Sequence, residues 1–476
     1  MRDDSRRIDN LIDGVDAAAA SGRWLEKRSP VDGSVLCELA RSGPEDVDRA
    51  VAAARRAQAA WARETPVARG DLVREIALAL RARRDELSEL VGAETGKPPT
   101  LALGETDAAV EMGLFVAGEG RRLYGRTTTS SVPHRTVMSV RRPVGVTALL
   151  MSFNTPLPNI AWKAFPAVFC GNAAVVKPSE EVPASAHAFA RIAHECGLPA
   201  GVLNVVQGLG SEAGAALVAH PGVDLVSFTG SAETGREVNE VAARRLAKVC
   251  LELGGKNALV VCDDADLDGA VRWALASAFS NAGQRCAAAS RIVVFDAVYD
   301  AFRERFVAGA AALEPEPVIS EAALERLLEA LRRAEAEGAR VVQGGERVGE
   351  RGWFLAPTVV ESAAPDGWLS CTELFGPVAA LYRVRHLEEA IERVNDSPYG
   401  LTAAIHTASI HRAMRFSEEA QAGVVVVNGG THGSEPHMGF GGVKQSGTGW
   451  REAGAEALDV YTEWKYVNLV ADPARA

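Results

Sequence analysis

Seven cysteines and nine histidines are spread along the 476 residues with no CxxC, no HExxH and no other metal-ligand spacing. That argues against a zinc ribbon or a zincin-type site. His432 and His437, five apart in a Gly-rich loop, read as non-metal. The odd, scattered cysteines argue against a disulfide framework and for a reduced, cytoplasmic protein. An excess of basic charge is also missing: 51 Lys and Arg face 62 Asp and Glu, a net charge of −11. Binding to nucleic acid or to an anionic membrane needs the opposite balance. The longest tempting apolar stretch, 143–162, holds Pro143, Asn154, Pro156, Pro158 and Asn159, which would break a spanning helix. It reads instead as a buried strand followed by a functional loop. No apolar run follows the charged start, so no cleaved secretory signal is expected.

What the chain does have is periodicity. Val47, Val51, Ala54, Ala57 and Trp61 predict a helix over 44–62, with Pro44 at its start. Leu72, Ile76, Leu80, Leu87 and Leu90 predict another over 70–92. From 146 the pattern alternates. Strands are expected at 146–151, 173–176, 202–206, 225–228 and 249–253, and helices near 159–169, 183–195, 211–219 and 233–246. Such alternation predicts a parallel sheet covered on both faces, with ligands at the carboxyl ends of its strands. A second strand-rich stretch begins near 257, with apolar runs at 258–262, 292–295, 378–384 and 424–427 and a charged helix over 318–338. Residues 471–476 read as a loose tail.

Four motifs carry candidate chemistry, and three of them have a bland alternative. In Asn281-Ala-Gly-Gln-Arg-Cys286 the cysteine follows a Gly-containing turn and sits beside an arginine, which favours the nucleophilic thiolate. The alternative is a buried structural thiol. In Leu251-Glu-Leu-Gly-Gly-Lys256, Glu252 lies in an apolar run, where desolvation raises a carboxyl and makes it a general base. The alternative is a strand-end ion pair. Phe228-Thr-Gly-Ser-Ala-Glu-Thr-Gly235 joins a strand to a helix start, which suits a diphosphate. Lys177-Pro-Ser-Glu180 offers a lysine and a carboxylate to ribose hydroxyls, or is a turn with a solvated lysine.

Taken in order, Asn154, Lys177 and Glu180, 228–235, Glu252 in LELGGK, Cys286 in GQRC, Glu373 in ELFGP and Gly439-Phe-Gly-Gly-Val-Lys-Gln-Ser-Gly447 resemble the NAD(P)-dependent aldehyde dehydrogenase superfamily. The resemblance runs from about residue 10 to 466. It implies an α/β fold with two Rossmann-like parallel-sheet domains and a β oligomerisation flap. The implied bounds are 1–122 and 143–252 for NAD binding, 253–445 for catalysis, and 123–142 and 446–476 for assembly into a homodimer or homotetramer. Both 127–132 and 460–467 read as β-rich.

The resemblance also implies roles. Cys286 is the nucleophile, Glu252 the base that activates water, and Asn154 with the backbone N–H of Cys286 the oxyanion hole. Lys177 and Glu180 hold the adenosine ribose, which favours NAD over NADP. Gly210, Phe228 and Ser231 line the adenine and diphosphate region. Glu373 holds the nicotinamide ribose, with Phe153 and Phe375 nearby. The aldehyde tunnel is lined by Thr155, Asn159, Trp162, Arg285, Ala287, His432, Ser434 and Phe440. Its polar character points to a small polar aldehyde, one bearing a remote carboxylate if Arg285 faces the tunnel; otherwise Arg285 pairs with a protein carboxylate. Two departures stand out: Gly439 replaces a usual proline, which is expected to loosen the entrance loop, and 313–320 is short. The competing readings are a CoA-acylating semialdehyde dehydrogenase, disfavoured by Glu252, and a non-catalytic protein on the same scaffold.

Overall fold

The structure, a computed structural model, describes residues 6–471 and 474. The expected loose tail therefore lies largely outside the described residues. Two seven-stranded sheets dominate. The first runs, edge to edge, Lys248–Leu253, Leu225–Gly230, Val146–Leu150, Ala173–Lys177, Leu203–Val205, Asn10–Ile12 and Val15–Ala17. Its first five strands are parallel, and the hairpin Asn10–Ile12/Val15–Ala17 closes one edge. The second runs Arg340–Gln343, Thr358–Glu361, Val378–Val384, Ala289–Phe295, Asn257–Val261, Thr402–His406 and Val424–Val427. Only its Arg340–Gln343 edge is antiparallel.

Both faces of each sheet are covered, which is why the strands read as unbroken apolar runs. Side chains of successive strand residues point to opposite faces. Leu149, Ala174 and Val176 accordingly join a core with Phe165 and Phe189. Ala148, Leu150, Ala173 and Val175 join the opposite core with Val47, Ala50, Val51 and Ala54 of helix Pro44–Trp61. In the second sheet Ala258 and Val260 meet Leu324, Leu327 and Leu331 of Glu321–Ala336, while Leu259 and Val261 meet Phe302 and Phe306.

Three expectations change. The helix expected over 70–92 is two, Pro66–Ala82 and Arg84–Thr95, broken at Arg83 (φ −108°, ψ 25°). Leu80 and Leu87, seven apart, share one core and keep the periodicity across the break. The helix expected from 159 starts at Pro156. Pro156 and Pro158 fall in its first turn, where a missing N–H costs no hydrogen bond, so they begin a helix rather than break one. The strand expected over 127–132 ends at Thr128; it joins Arg135–Pro143 and Thr462–Val470 in a third, antiparallel sheet.

The site lies where the sheets meet. The first sheet's connectivity reverses at Val146–Leu150, which has Ala173–Lys177 on one side and Leu225–Gly230 on the other. Such reversals open a crevice at the carboxyl edge. From Leu253 the chain passes through Gly254–Lys256 directly into Asn257–Val261. The carboxyl edge of one sheet thus leads into the amino edge of the other.

Candidate active site

The turn before Cys286, the candidate nucleophile, is built from unusual backbone. After helix Leu267–Phe279, Asn281 (φ 59°, ψ 36°), Ala282 (φ 50°, ψ 34°) and Gly283 (φ 64°) are all left-handed. For a residue with a Cβ that conformation costs about 1–2 kcal/mol. The surroundings hold it in place. Asn281 Nδ2 donates to Gln284 O (3.2 Å) and to Asn154 O (3.1 Å). Gln284 Nε2 donates to Pro317 O (3.4 Å), and its Oε1 accepts from Ile319 N (2.9 Å). Asn257 Nδ2 donates to Cys286 O (2.7 Å), and Thr431 Oγ1 to the carbonyl of buried Ala287 (2.6 Å). A Cβ on Gly283 would stand 2.3 Å from Gly376 O, so that position takes only glycine. Strain of this kind persists where neighbours over-determine it, as at active sites.

Cys286 keeps part of its surface open, but the expectation of a lowered thiol pKa fails. Burial, then the carboxylates of Glu373 and Glu252, push it up to about 12, and Arg285 is the weakest influence on it. Glu252 ends strand Lys248–Leu253, buried, with neither carboxylate oxygen hydrogen-bonded. The strand-end ion pair is therefore absent among the described residues. Burial first, and then Glu452, raise its pKa well above the usual range, against Lys163 and Arg451. A Cβ on Gly441 would lie 2.8 Å from Glu252 Oε1, so glycine there leaves the carboxylate room.

Asn154 is buried in the loop after Val146–Leu150. Its Oδ1 accepts from Asn159 Nδ2 (3.3 Å), which leaves the amide N–H₂ to donate. Asn159 also donates to Thr155 Oγ1 (3.2 Å), so both residues are partly committed within the chain. Trp162 and Phe440 meet edge to face at 5.5 Å. Phe440 and Glu452 exchange both backbone hydrogen bonds (2.7 and 2.8 Å), so the loop at Gly439 is tied down, not loosened. Ser434 is half-buried in the loop after Val424–Val427.

Arg285 makes no ion pair within 4 Å among the described residues, and its Nε is buried without a partner. His432 Nδ1 is also buried and unpartnered. Burial and the Arg285 charge push His432 down to about 4, so it is neutral at physiological pH.

The residues expected to meet a dinucleotide also converge. Lys177 is buried, not solvated, and pairs with Glu180 at 3.0 Å. A Cβ on Gly230 would strike the Phe228 ring at 2.4 Å. Ser231 caps helix Ala232–Ala243 by accepting from Thr234 N (3.2 Å). Gly210 is exposed at the start of a helical turn, Gly210–Gly214. Glu373 Oε1 accepts from Gly255 N (3.1 Å), and a Cβ on Gly254 would stand 1.7 Å from its other oxygen. Burial raises Glu373 to about 7 and lowers neighbouring Lys256 to about 7. Phe153 and Phe375 meet edge to face at 5.7 Å, joining the two sheets' loops.

Several participants escape the sequence reading. Lys163, fully buried in helix Pro156–Phe169, donates to both oxygens of Glu452 (2.7 and 2.8 Å) behind Glu252. A lone lysine in an apolar helix was its only signal. A Cβ on Gly214 would touch Lys177 (3.8 Å); the 208/210/214 glycine spacing pointed to it. Lys97 and Glu105 left no signal in the sequence.

The aldehyde dehydrogenase family profile matches residues 17–467. The mitochondrial benzaldehyde dehydrogenase of Antirrhinum majus is 37% identical, covering 98% of this chain and 89% of its own. The alpha-ketoglutaric semialdehyde dehydrogenase of Bacillus subtilis is 34% identical, covering 96% and 97%. The crystal structure of betaine aldehyde dehydrogenase from Staphylococcus aureus in complex with NAD+ aligns with a TM-score of 0.95 at 33% identity, covering 98% of this chain and 95% of that one. The matched span takes in the Cys286 turn, the buried Glu252 carboxylate and the Asn154 amide alike, and the chain belongs to the aldehyde dehydrogenase family.

Proposed function

We propose that this enzyme oxidises a small polar aldehyde, one with a carboxylate at its far end, to the carboxylic acid with NAD. The unpartnered carboxylate of Glu252 carries the hydrolytic half of the reading. Cys286 Sγ gives its proton to water and adds to the carbonyl carbon. The oxygen then becomes an alkoxide, and fixed donors at Asn154 Nδ2 and the Cys286 N–H stabilise it. NAD, when bound, accepts the hydride whose loss leaves a thioester on Cys286. Glu252 in its ionised form takes a proton from water as that water attacks the thioester. A buried carboxylate with both oxygens unpartnered is poised for that task, which favours hydrolysis over transfer to CoA.

The dinucleotide fits the residues present: buried Lys177 with Glu180, the glycines at 214 and 230, Glu373 on the Gly255 N–H, and the Phe153–Phe375 pair. The NAD+ complex of the Staphylococcus aureus relative supports the same cofactor. We assign 1–122 and 143–252 to NAD binding and 253–445 to catalysis. The sheet Arg126–Thr128/Arg135–Pro143/Thr462–Val470 exposes Tyr466, Leu469 and Val470, which suits a homodimer or homotetramer of a cytoplasmic enzyme.

Buried Arg285 Nε, with no ion pair, carries the substrate reading: a carboxylate would supply the missing acceptor. The alpha-ketoglutaric semialdehyde dehydrogenase of Bacillus subtilis, by its name, acts on such a compound, which supports the assignment. The test is a panel of aldehydes scored by kcat/KM, with NADH and acid product measured with and without CoA. Acyl-CoA formation, or a preference for hexanal over succinic semialdehyde, overturns the corresponding half.

A further inference from the structure

Gly96, left-handed at φ +73°, ends helix Arg84–Thr95 and passes beneath Pro317. A Cβ there would stand 2.4 Å from the proline Cγ. This close approach carries the next residue, Lys97, into the interior, where it is 5% exposed. Lys97 Nζ donates to Glu105 Oε1 and to the main-chain oxygen of Asn154. Glu105 lies in the second turn of helix Pro99–Ala117, 7% exposed, and its Oε2 is buried with no partner.

A buried ion pair is a poor source of stability, because desolvation offsets most of the attraction. What this one holds is the carbonyl of the residue that donates to the reacting oxygen. That carbonyl accepts from Lys97 and, at 3.1 Å, from Asn281 Nδ2 of the nucleophile turn. Two donors on one oxygen fix the peptide plane after Asn154. Asn159 fixes the other end of the residue by donating to Oδ1. A donor must be held to within about 0.5 Å of its working position to act on a transition state.

We propose that the Lys97–Glu105 pair is a positioning device: it aims the Asn154 amide at the oxyanion without touching substrate or cofactor itself. This rests on the reading of Asn154 as the oxyanion donor. The experiment separates the two. Lys97→Met alone leaves Glu105 as an unpaired buried charge, so the pair is removed together as Lys97→Met/Glu105→Leu. The NADH burst rate, the aldehyde KM and the NAD dissociation constant are compared in wild type, Asn154→Ala, the double variant and the triple variant. The double variant is expected to slow the burst by about 10- to 100-fold, the scale of misplacing a reacting group by an ångström. KM and NAD affinity should stay within about twofold, and in the Asn154→Ala background the effect should shrink to less than about twofold, as for residues acting through one group. Equal losses in both backgrounds, or an unchanged burst in the double variant, overturn the positioning role and leave Asn154 its own. A wild-type burst in Asn154→Ala overturns both. If the double variant does not fold, Lys97→Met/Glu105→Gln, neutral at both positions, takes its place in the same cycle with the same criteria.

Discussion

Asn281, on the strained turn before the second sheet's Ala289–Phe295, donates its side-chain amide to the main-chain carbonyl of Asn154, at the carboxyl edge of the first sheet, over 3.1 Å. One hydrogen bond thus ties the turn that leads to Cys286 to the backbone of Asn154. Asparagine suits the place twice, since it tolerates φ near +60° and carries the donor. Asn281→Ala removes two hydrogen bonds worth about 1 kcal/mol each and adds about 1 kcal/mol of backbone strain. The expected outcome is a loss of about 2–3 kcal/mol in urea unfolding, with a slower NADH burst. A variant as stable and as fast as wild type would show the tie to be incidental.

The carboxylates of Glu252 and Glu452 act against one another. Burial raises Glu252 most, and the Glu452 charge adds to it. A base with a raised pKa works only once the pH has climbed far enough to ionise it, so deacylation should fall as pH falls. Glu452→Gln removes the like charge and leaves Lys163 as an unopposed cation, both of which lower the Glu252 pKa. The acid limb of kcat against pH should therefore move to lower pH, under conditions where Glu252→Gln shows a burst followed by slow turnover. An acid limb that stays put or moves upward contradicts the coupling. The sign for stability is the reverse: this carboxyl favours the fold most below its unfolded value of about 4.3 and less as pH rises through the folded one.

How much of this was legible in the sequence depends on the range of each interaction. The strands were legible because they are buried on both faces and need little but apolar side chains. The break at Arg83 was hidden because Leu80 and Leu87 keep helical spacing across it. Cys286, Glu252 and Asn154 could be read from local motifs. Their partners could not: Lys97 and Asn154 are 57 positions apart, Lys163 and Glu452 289 apart. The state of the thiol is hidden for the same reason. Its neighbour Arg285 was visible, but the burial and the carboxylates of Glu373 and Glu252 that outweigh it come from folding.

The raised thiol has a measurable consequence. With burial and two carboxylates holding the Cys286 thiol near 12, alkylation by iodoacetamide in the cofactor-free protein should be slow at pH 7. It should rise about tenfold per pH unit as the thiolate fraction grows. Mass spectrometry, with Cys286→Ala as the blank, follows this one site among seven cysteines. A plateau below pH 9 would mean an ionised resting thiol.

Glu180 is paired to Lys177 at 3.0 Å, and on the proposed reading it selects between cofactors. Its carboxylate would accept from ribose hydroxyls and repel a 2′-phosphate carrying a charge of about −1.5 to −2. Glu180→Gln should lower kcat/KM for NAD and raise it for NADP, each by about tenfold, the equivalent of one charge-assisted hydrogen bond. Parallel changes for both cofactors would place Glu180 away from the ribose.

Arg285 and His432 each bury one polar atom without a hydrogen-bond partner, Nε and Nδ1, and on the proposed reading both face the substrate. A hydrocarbon aldehyde would leave both without partners, at about 1–3 kcal/mol per buried group. A remote carboxylate would accept from the guanidinium, a charge-assisted bond of about 1.5–3 kcal/mol. His432, pushed down to about 4, is neutral at working pH and adds a dipole, not a second charge. The discrimination should therefore reside in Arg285 and should stay flat as pH passes through 6 to 8. Arg285→Leu should raise KM for succinic semialdehyde by about 10- to 100-fold, the equivalent of 1.4–2.8 kcal/mol. KM for butanal, of equal chain length and uncharged, should change by less than about threefold, because it never used the charge. Equal changes for the two aldehydes would mean that Arg285 shapes the tunnel without reading the carboxylate. A discrimination that fades as pH rises from 6 to 8 would point to histidine instead.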